Sequence, residues 1–367
     1  MEPVVAEVVR RFMETDYGNP ASPVHDFGTF ARMAVEKARG EVAEVVAARR
    51  DEVIFTSGAT EANNLAILGL SAYGISTGRR HVISTGIEHK AVLEPLEELV
   101  ARGYEVDFLP AGNDGRMRVK DLLTALRPDT LLVTVMHVNN ETGIIQPLAE
   151  IATALEGHPA FFHTDAAQGF GKDINPLRSR RIDMISISGH KIYGPKGVGA
   201  LVTRKRDGVC PPLKPLMYGG GQEQGLRPGT LPAPLIAGLG TAARMAGRNH
   251  VERADANRQF RLRVLTALAP LNPVINGDPA FALPNAVNLI IPRIPAEKTI
   301  AALKELVAIS SSSACTAGDS APSHVLTAMK VPPASAGCSI RLAWSHLTPE
   351  PDWAHIVSIL QELQGQF

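Results

Sequence analysis

The sequence predicts an α/β fold, with a mostly parallel seven-stranded sheet followed by a smaller α+β C-terminal domain. Short apolar runs of strand length alternate with amphipathic helical stretches between Thr29 and Thr203, the pattern of strand–crossover–strand units. From about Pro211 to Pro234 the chain is rich in Gly and Pro, which is too long for a plain connector. A helical stretch from Ala233 to Ala269 follows, and Pro273 to Phe367 then mixes short strands and helices. On this division residues 16–245 form the large domain, and residues 1–15 with 246–367 form the small one, which carries Cys315.

Each element has a local reason. Ala31, Val35, Ala38, Val42 and Val46 recur at helical spacing, which predicts a helix over Thr29 to Arg49. Val53 to Thr56 reads as a short buried strand, Ser57 to Thr60 as a turn, and Glu61 to Tyr73 as a helix. The further strands are His81 to Thr85, Glu105 to Pro110, Leu131 to Val138, Phe161 to Asp165, Met184 to Ser188 and Val198 to Thr203. Helices over Ala91 to Arg102, Val119 to Leu126 and Leu148 to Leu155 separate several of them. Ligands on such sheets bind beyond the carboxyl ends of the strands.

Composition excludes several function classes. Lys plus Arg is 37 and Asp plus Glu is 37, so the formal charge is zero, which argues against a general nucleic-acid binder. Hydrophobic residues are 45% and charged residues 20%, which excludes a disordered chain. Cys210, Cys315 and Cys338 are far apart with no CxxC, so neither a zinc site nor a disulfide framework is expected. No apolar run reaches about 18 residues and the N-terminus lacks a basic head and apolar core. The expectation is a cytoplasmic protein with no metal, no membrane partner and no direct nucleic-acid partner.

Several short segments carry groups with chemical uses. Ser188-Gly189-His190-Lys191 runs a strand into a small-residue turn bearing a lysine, which reads either as a surface lysine or as a Schiff-base lysine at a strand end. Phe162-His163-Thr164-Asp165 ends a buried strand in a carboxylate. That carboxylate needs a partner, either the next helix or the protonated ring nitrogen of pyridoxal phosphate (PLP). Ser57-Gly58-Ala59-Thr60 joins a strand to a helix and suits an anion; a dinucleotide reading fails because no GxGxxG stands there. Ser310 to Gly318 is small and polar with one thiol, Cys315, placed for moving a sulfur atom or else simply buried. Arg341 sits in an apolar strand, as a salt-bridge partner or a clamp for a substrate carboxylate. His89 follows a strand, where it is structural or stacks on a cofactor ring and shuttles protons.

Taken in order, these motifs resemble the cysteine desulfurases of the class V aminotransferase superfamily, from Pro3 to about Leu347. The resemblance rests on Tyr17 to Ser22, Thr56 to Asn64, His137 to Gly143, His163 to Gln168, Ser188 to Gly197 and Arg227 to Leu231. The long segment Ser310 to His324 resembles the group I (NifS/IscS-like) branch. The resemblance implies a fold-type I PLP-dependent transferase. Lys191 would hold PLP, Asp165 its ring nitrogen and Gln168 its ring hydroxyl; His89 would stack on the ring. Ala59, Thr60, Ser188 and His190 would surround the phosphate, and Thr230 would reach the phosphate of a second subunit in a homodimer. Asn140 would contact cofactor and substrate, Arg341 would bind the carboxylate of L-cysteine, and Cys315 would take its sulfur as a persulfide and leave L-alanine. The persulfide would pass to a protein acceptor for iron–sulfur clusters, tRNA thiolation or DNA phosphorothioation. A selenocysteine lyase, another PLP enzyme of the superfamily and a catalytically impaired scaffold are the competing readings. Members usually begin with a Leu-Asp-Asn-Ala-Thr-Thr-Pro-like segment lining the site, whereas this chain starts at Met1-Glu2-Pro3, where that segment would end. It stops at Phe367 without the tail by which iron–sulfur members dock a scaffold, so a different acceptor is expected.

Overall fold

A computed structural model describes residues 1–22, 24–311 and 323–366. The chain begins with α1 (Pro3–Glu14) and α2 (Asp26–Val45). It continues through β1 (Val53–Thr56), α3 (Ala59–Leu68), α4 (Ser71–Thr77), β2 (His81–Thr85), α5 (Lys90–Ala101) and β3 (Glu105–Leu109). Then come α6 (Val119–Ala125), β4 (Thr130–Thr134), α7 (Leu148–Ala154), β5 (Phe161–Asp165), β6 (Met184–Ser188), β7 (Gly199–Thr203) and the long α8 (Ala233–Leu268).

The seven strands form one sheet in the order β1-β7-β6-β5-β4-β2-β3. Neighbours from β6 to β3 run parallel, and β7 is antiparallel to both β6 and β1. β1, β2, β4, β5 and β6 therefore end at the same edge. Successive side chains of a strand point to opposite faces, and both faces here are apolar. Val53, Phe55, Ile83, Val133, Phe162, Ile185 and Val202 enter one core with α2 and α8. Ile54, Val82, Leu132, Met184 and Leu201 enter the other with α3 and α5. This double burial is why the strands read as nearly continuous hydrophobic runs.

The remainder supplies β8 (Val274–Ile275), β9 (Ala286–Ile290), α9 (Ala296–Leu303), β10 (Ser310–Ser311), α10 (His324–Ala328), α11 (Pro333–Ala336), β11 (Ser339–Ala343) and α12 (Trp353–Gln364). These strands make a second, antiparallel sheet in the order β10-β11-β9-β8. α8 joins the two parts: Ile236, Leu239 and Ala242 belong to the first core, Phe260, Val264 and Leu268 to the core of the small sheet. α10 packs on the large part through Val325 and Leu326, which meet Ile87 and Met136.

Two expectations are corrected. The helix expected from Glu61 to Tyr73 is two helices, because the Gly69 carbonyl accepts from Lys214 N–H at 2.9 Å and is lost to the helical ladder. The strand expected to reach Val138 ends at Thr134, although Val135 and His137 N–H still bond to the carbonyls of His163 and Asp165. In α1, Val5 and Val9 enter the core of the large sheet. Among the described residues, no helix is long and apolar enough to cross a membrane.

Candidate active site

A cavity of about 530 Å³ opens at the carboxyl edge of the large sheet. It collects Ala59, Thr60, His89, Asn140, Asp165, Gln168, Ser188, His190, Lys191 and Arg341, which stand up to 282 positions apart in the sequence (59 to 341). Thr230 is exposed and lies outside the cavity lining, and Cys315 lies outside the described residues.

Asp165 ends β5 and is only 6% exposed. One carboxylate oxygen accepts from Ala167 N–H at 2.9 Å and the other from Asn63 Nδ2 at 2.7 Å. Burial pushes its carboxyl up, against those two donors and the nearby His89 and Lys191. The group is thus a buried acid held in one orientation, suited to a cationic N–H above it. Lys191 follows β6 in a tight turn, Gly189–Ile192. Gly189 N–H bonds to the Val198 carbonyl and Gly194 N–H to the Gly189 carbonyl, both at 3.0 Å, which folds the turn back on β7 and presents the lysine to the cavity.

His89 is the N-cap of α5, its Nδ1 accepting from Ala91 N–H at 3.1 Å. The proton of the neutral ring therefore sits on Nε2. Burial lowers its pKa; Asp165 opposes this and Lys191 adds to it. A neutral, fixed imidazole results.

The anion-binding part lies at the start of α3. Gly58 precedes the helix, and an added Cβ there would meet nothing nearer than Ser188 Oγ at 4.0 Å. Ser188 Oγ and His190 Nδ1 lie 3.0 Å apart beside it. Free N–H groups at a helix start and adjacent hydroxyls suit a phosphate. Glu61 braces the turn by accepting from Ser57 N–H at 2.6 Å and pairing with Arg227 at 3.1 Å. On the opposite wall, Arg341 Nη1 donates to the Asn140 carbonyl at 2.8 Å, which points the guanidinium from the small sheet at the large one.

Sequence reasoning missed Asn63, Asn139, Glu88 and Glu141. Asn139 Oδ1 accepts from Glu141 and Thr142 N–H at 2.9 Å, and its Nδ2 donates to the Ile87 carbonyl, so it shapes the turn that presents Asn140. Glu88 is fully buried and pushed up to about 8 by burial. The available signal for Asn63 was a polar residue on the buried stripe Ala62, Leu65, Ala66 of α3. His163, beside Asp165 in sequence, points elsewhere: it bridges Thr134 Oγ1 and Ser186 Oγ and is held neutral by burial, its pKa about 3.

The aminotransferase class-V profile matches residues 1–347. Cysteine desulfurase IscS of Rickettsia bellii (strain OSU 85-389) is 42% identical over 363 residues, covering 98% of this chain and 87% of its own length. The chain belongs to the cysteine desulfurases of the class-V aminotransferase family. That family is PLP-dependent. The crystal structure of DndA from Streptomyces lividans is 49% identical, with a TM-score of 0.83 over 94% of this chain and 96% of that one. A structure described as SspA in complex with cysteine is 35% identical, with a TM-score of 0.82 over 94% and 95%.

Proposed function

We propose that this chain removes the sulfur of L-cysteine with PLP, leaves L-alanine, and carries the sulfur as a persulfide on Cys315. The observation that carries this reading is the convergence of Lys191, Asp165, His89 and Arg341 on one cavity. The residues present fit the cofactor. Asp165 is a buried acid held in one orientation by Asn63 and Ala167 N–H, and Thr60, Ser188 and His190 line the same cavity at the start of α3. Lys191, Gln168 and the face of His89 complete the set that would hold it.

When bound, PLP supplies an aldehyde for amines and a ring that draws electrons from the substrate's α-carbon. The chain's residues do the rest. Arg341 and Asn140 fix the substrate carboxylate, which orients the Cα–H bond toward Lys191. The Lys191 amine takes the α-proton and returns it. Asp165 would be the carboxylate set against the protonated ring nitrogen, and His89, with its proton on Nε2, would cover the ring. The Cys315 thiolate attacks the substrate sulfur: the carbon–sulfur bond breaks, a sulfur–sulfur bond forms, and the substrate β-carbon gains a proton. Cysteine plus thiol thus becomes alanine plus persulfide, with no oxidant required.

A homodimer belongs to the same reading. Phe27, Phe30 and Met33 stand at helical spacing on α2, 54%, 59% and 62% exposed, and Tyr17 stacks on Phe27 at 5.8 Å. An apolar face of this kind suits a second copy. The sulfur acceptor is a separate thiol-bearing partner.

The test is incubation with L-cysteine and PLP, followed by alanine assay and mass spectrometry of the peptide containing Cys315. One added sulfur atom on Cys315, absent in Lys191→Ala, is expected. Normal alanine release by Cys315→Ser would overturn the thiol's role, and normal release by Lys191→Ala the whole mechanism.

A further inference from the structure

Two turns depart from ordinary turn chemistry at neighbouring places in the fold. Ile294 N–H bonds to the Ile291 carbonyl, with Pro292 second and Arg293 third in the turn, at φ 74°. This is the type II pattern, whose third position is ordinarily glycine or asparagine. At the end of α10, Lys330 sits at φ 60°, its N–H bonded to the Thr327 carbonyl and Val331 N–H to the Leu326 carbonyl. That is the helix-ending position which glycine usually fills. A long side chain in the left-handed region costs folding free energy at both places. Each holds a cation instead of the residue its backbone favours.

Both cations line one groove of about 660 Å³, away from the cavity that holds Lys191. Among the described residues no Asp or Glu lines this groove, and neither cation pairs with a carboxylate. One wall is β8, the outermost strand of the small sheet. Asn276 N–H bonds inward to the Asn288 carbonyl, so by alternation the N–H and carbonyl of Ile275 face the open edge. Val274, which is 54% exposed, and the half-buried Val331 add apolar surface.

We propose that this groove binds an extended acidic peptide segment of a partner protein, laid along β8 with its carboxylates on Arg293 and Lys330. The open strand edge supplies main-chain pairing, the apolar surface receives alternate side chains, and the two cations select the charge. Among the described residues no aromatic side chain lines the groove, so none of them would stack a nucleic-acid base there. Both cations are exposed, so no enclosed cradle for a small free anion is formed.

The test uses the full chain and a fluorescent peptide alternating glutamate and valine. Saturable binding is expected, together with slowed hydrogen exchange at the Ile275 amide. Arg293→Gly combined with Lys330→Gly should weaken binding roughly tenfold. Glycine suits both backbones, so that variant should melt at the same or a higher temperature. Its release of alanine from cysteine should be unchanged. The proposal is overturned if the peptide does not bind, if the double variant binds it as well as the parent, or if a glutamine–valine peptide binds equally. It is also overturned if inorganic phosphate or a single-stranded DNA oligonucleotide displaces the peptide at comparable concentration. Peptide binding is measured without cysteine, so failure of the desulfurase reading would leave this result standing.

Discussion

The Ser323 hydroxyl donates to Glu141 Oε2 across 2.5 Å, with both residues buried. Ser323 caps α10, and Glu141 stands next to Asn140, whose carbonyl holds Arg341. One buried carboxylate therefore joins the start of α10 to the turn that presents the proposed substrate clamp. Burial pushes the Glu141 carboxyl up to about 7, against the Ser323 hydrogen bond and the charge of Arg341. A raised acid pKa means that the fold holds a proton which the unfolded chain releases near pH 4.5. This group's contribution to stability thus falls as pH rises from about 4.5 to 7 and is constant above. Ser323→Ala removes a charge-assisted bond at pH 8 and a neutral one at pH 5.5. The expected penalty is about 2 kcal/mol at the higher pH and about 1 kcal/mol at the lower. Denaturant unfolding at both pH values checks this, and equal penalties would show that Glu141 does not titrate in that interval.

Glu88 has the same sign and a wider window. Its Oε1 accepts from Thr85 Oγ1 and Met136 N–H, both at 2.8 Å, while Oε2 is buried without a hydrogen-bond partner among the described residues. Held up to about 8, the carboxyl stays protonated in the fold at neutral pH, and its ionisation costs stability between about pH 4.5 and 8. Glu88→Gln keeps the acceptor and cannot ionise. The variant should match the parent below pH 5 and exceed it above pH 8 by on the order of a few kcal/mol. A parent whose unfolding midpoint is flat from pH 5 to 9 contradicts this assignment.

The position of Arg341, not its charge alone, suits it to a substrate carboxylate. Nη1 is spent on the Asn140 carbonyl, which fixes the guanidinium plane and leaves its other N–H groups to the cavity. A shorter, rounder lysine head cannot keep both contacts. Arg341→Ala should weaken cysteine binding by about 2–4 kcal/mol, a rise in KM of roughly 30-fold or more. Arg341→Lys should recover only part of it. Steady-state kinetics with KM and kcat both unchanged would remove the clamp.

How far the sequence reveals this site follows from the kind of contact involved. β2, β5 and β6 have the expected bounds because each carries a short apolar stretch, such as Val82-Ile83, Phe161-Phe162 or Met184-Ile185, that packs into the two cores of the sheet. Lys191 and Asp165 are proposed from those same strand ends, where ligands on such sheets bind. The residues that orient them are less legible. Asn63 meets Asp165 across 102 positions and Glu141 meets Ser323 across 182, and no local pattern encodes such pairs. The break after α3 depends on Lys214 N–H, which arrives from a distant loop. Arg204, just past β7, looks like a surface cation, yet it is 1% exposed and donates to the carbonyls of Val46, Leu177, Ser179 and Ile182.

The contact between Gly199 and Gly58 gives a last prediction, one that connects packing to the proposed phosphate cradle. Gly199 begins β7, and a Cβ added there would press on the Ile187 carbonyl and come 2.7 Å from Gly58 Cα. Both obstacles are backbone. Side chains can rotate away from an intruding methyl, but a strand carbonyl in a ladder and a turn before a helix can only shift. β6 is pinned on its other side by β5, so the displacement falls on the turn from Ser57 to Thr60. Gly199→Ala should lose about 2 kcal/mol of stability through overpacking. It should also hold PLP more weakly, because the N–H groups at the start of α3 move out of register with Ser188 and His190. The two effects separate experimentally: thermal unfolding without cofactor reads the first, and the PLP concentration needed for half-saturation reads the second. A variant that is destabilised yet binds PLP as tightly as the parent would show that the cradle does not depend on the Gly58 turn.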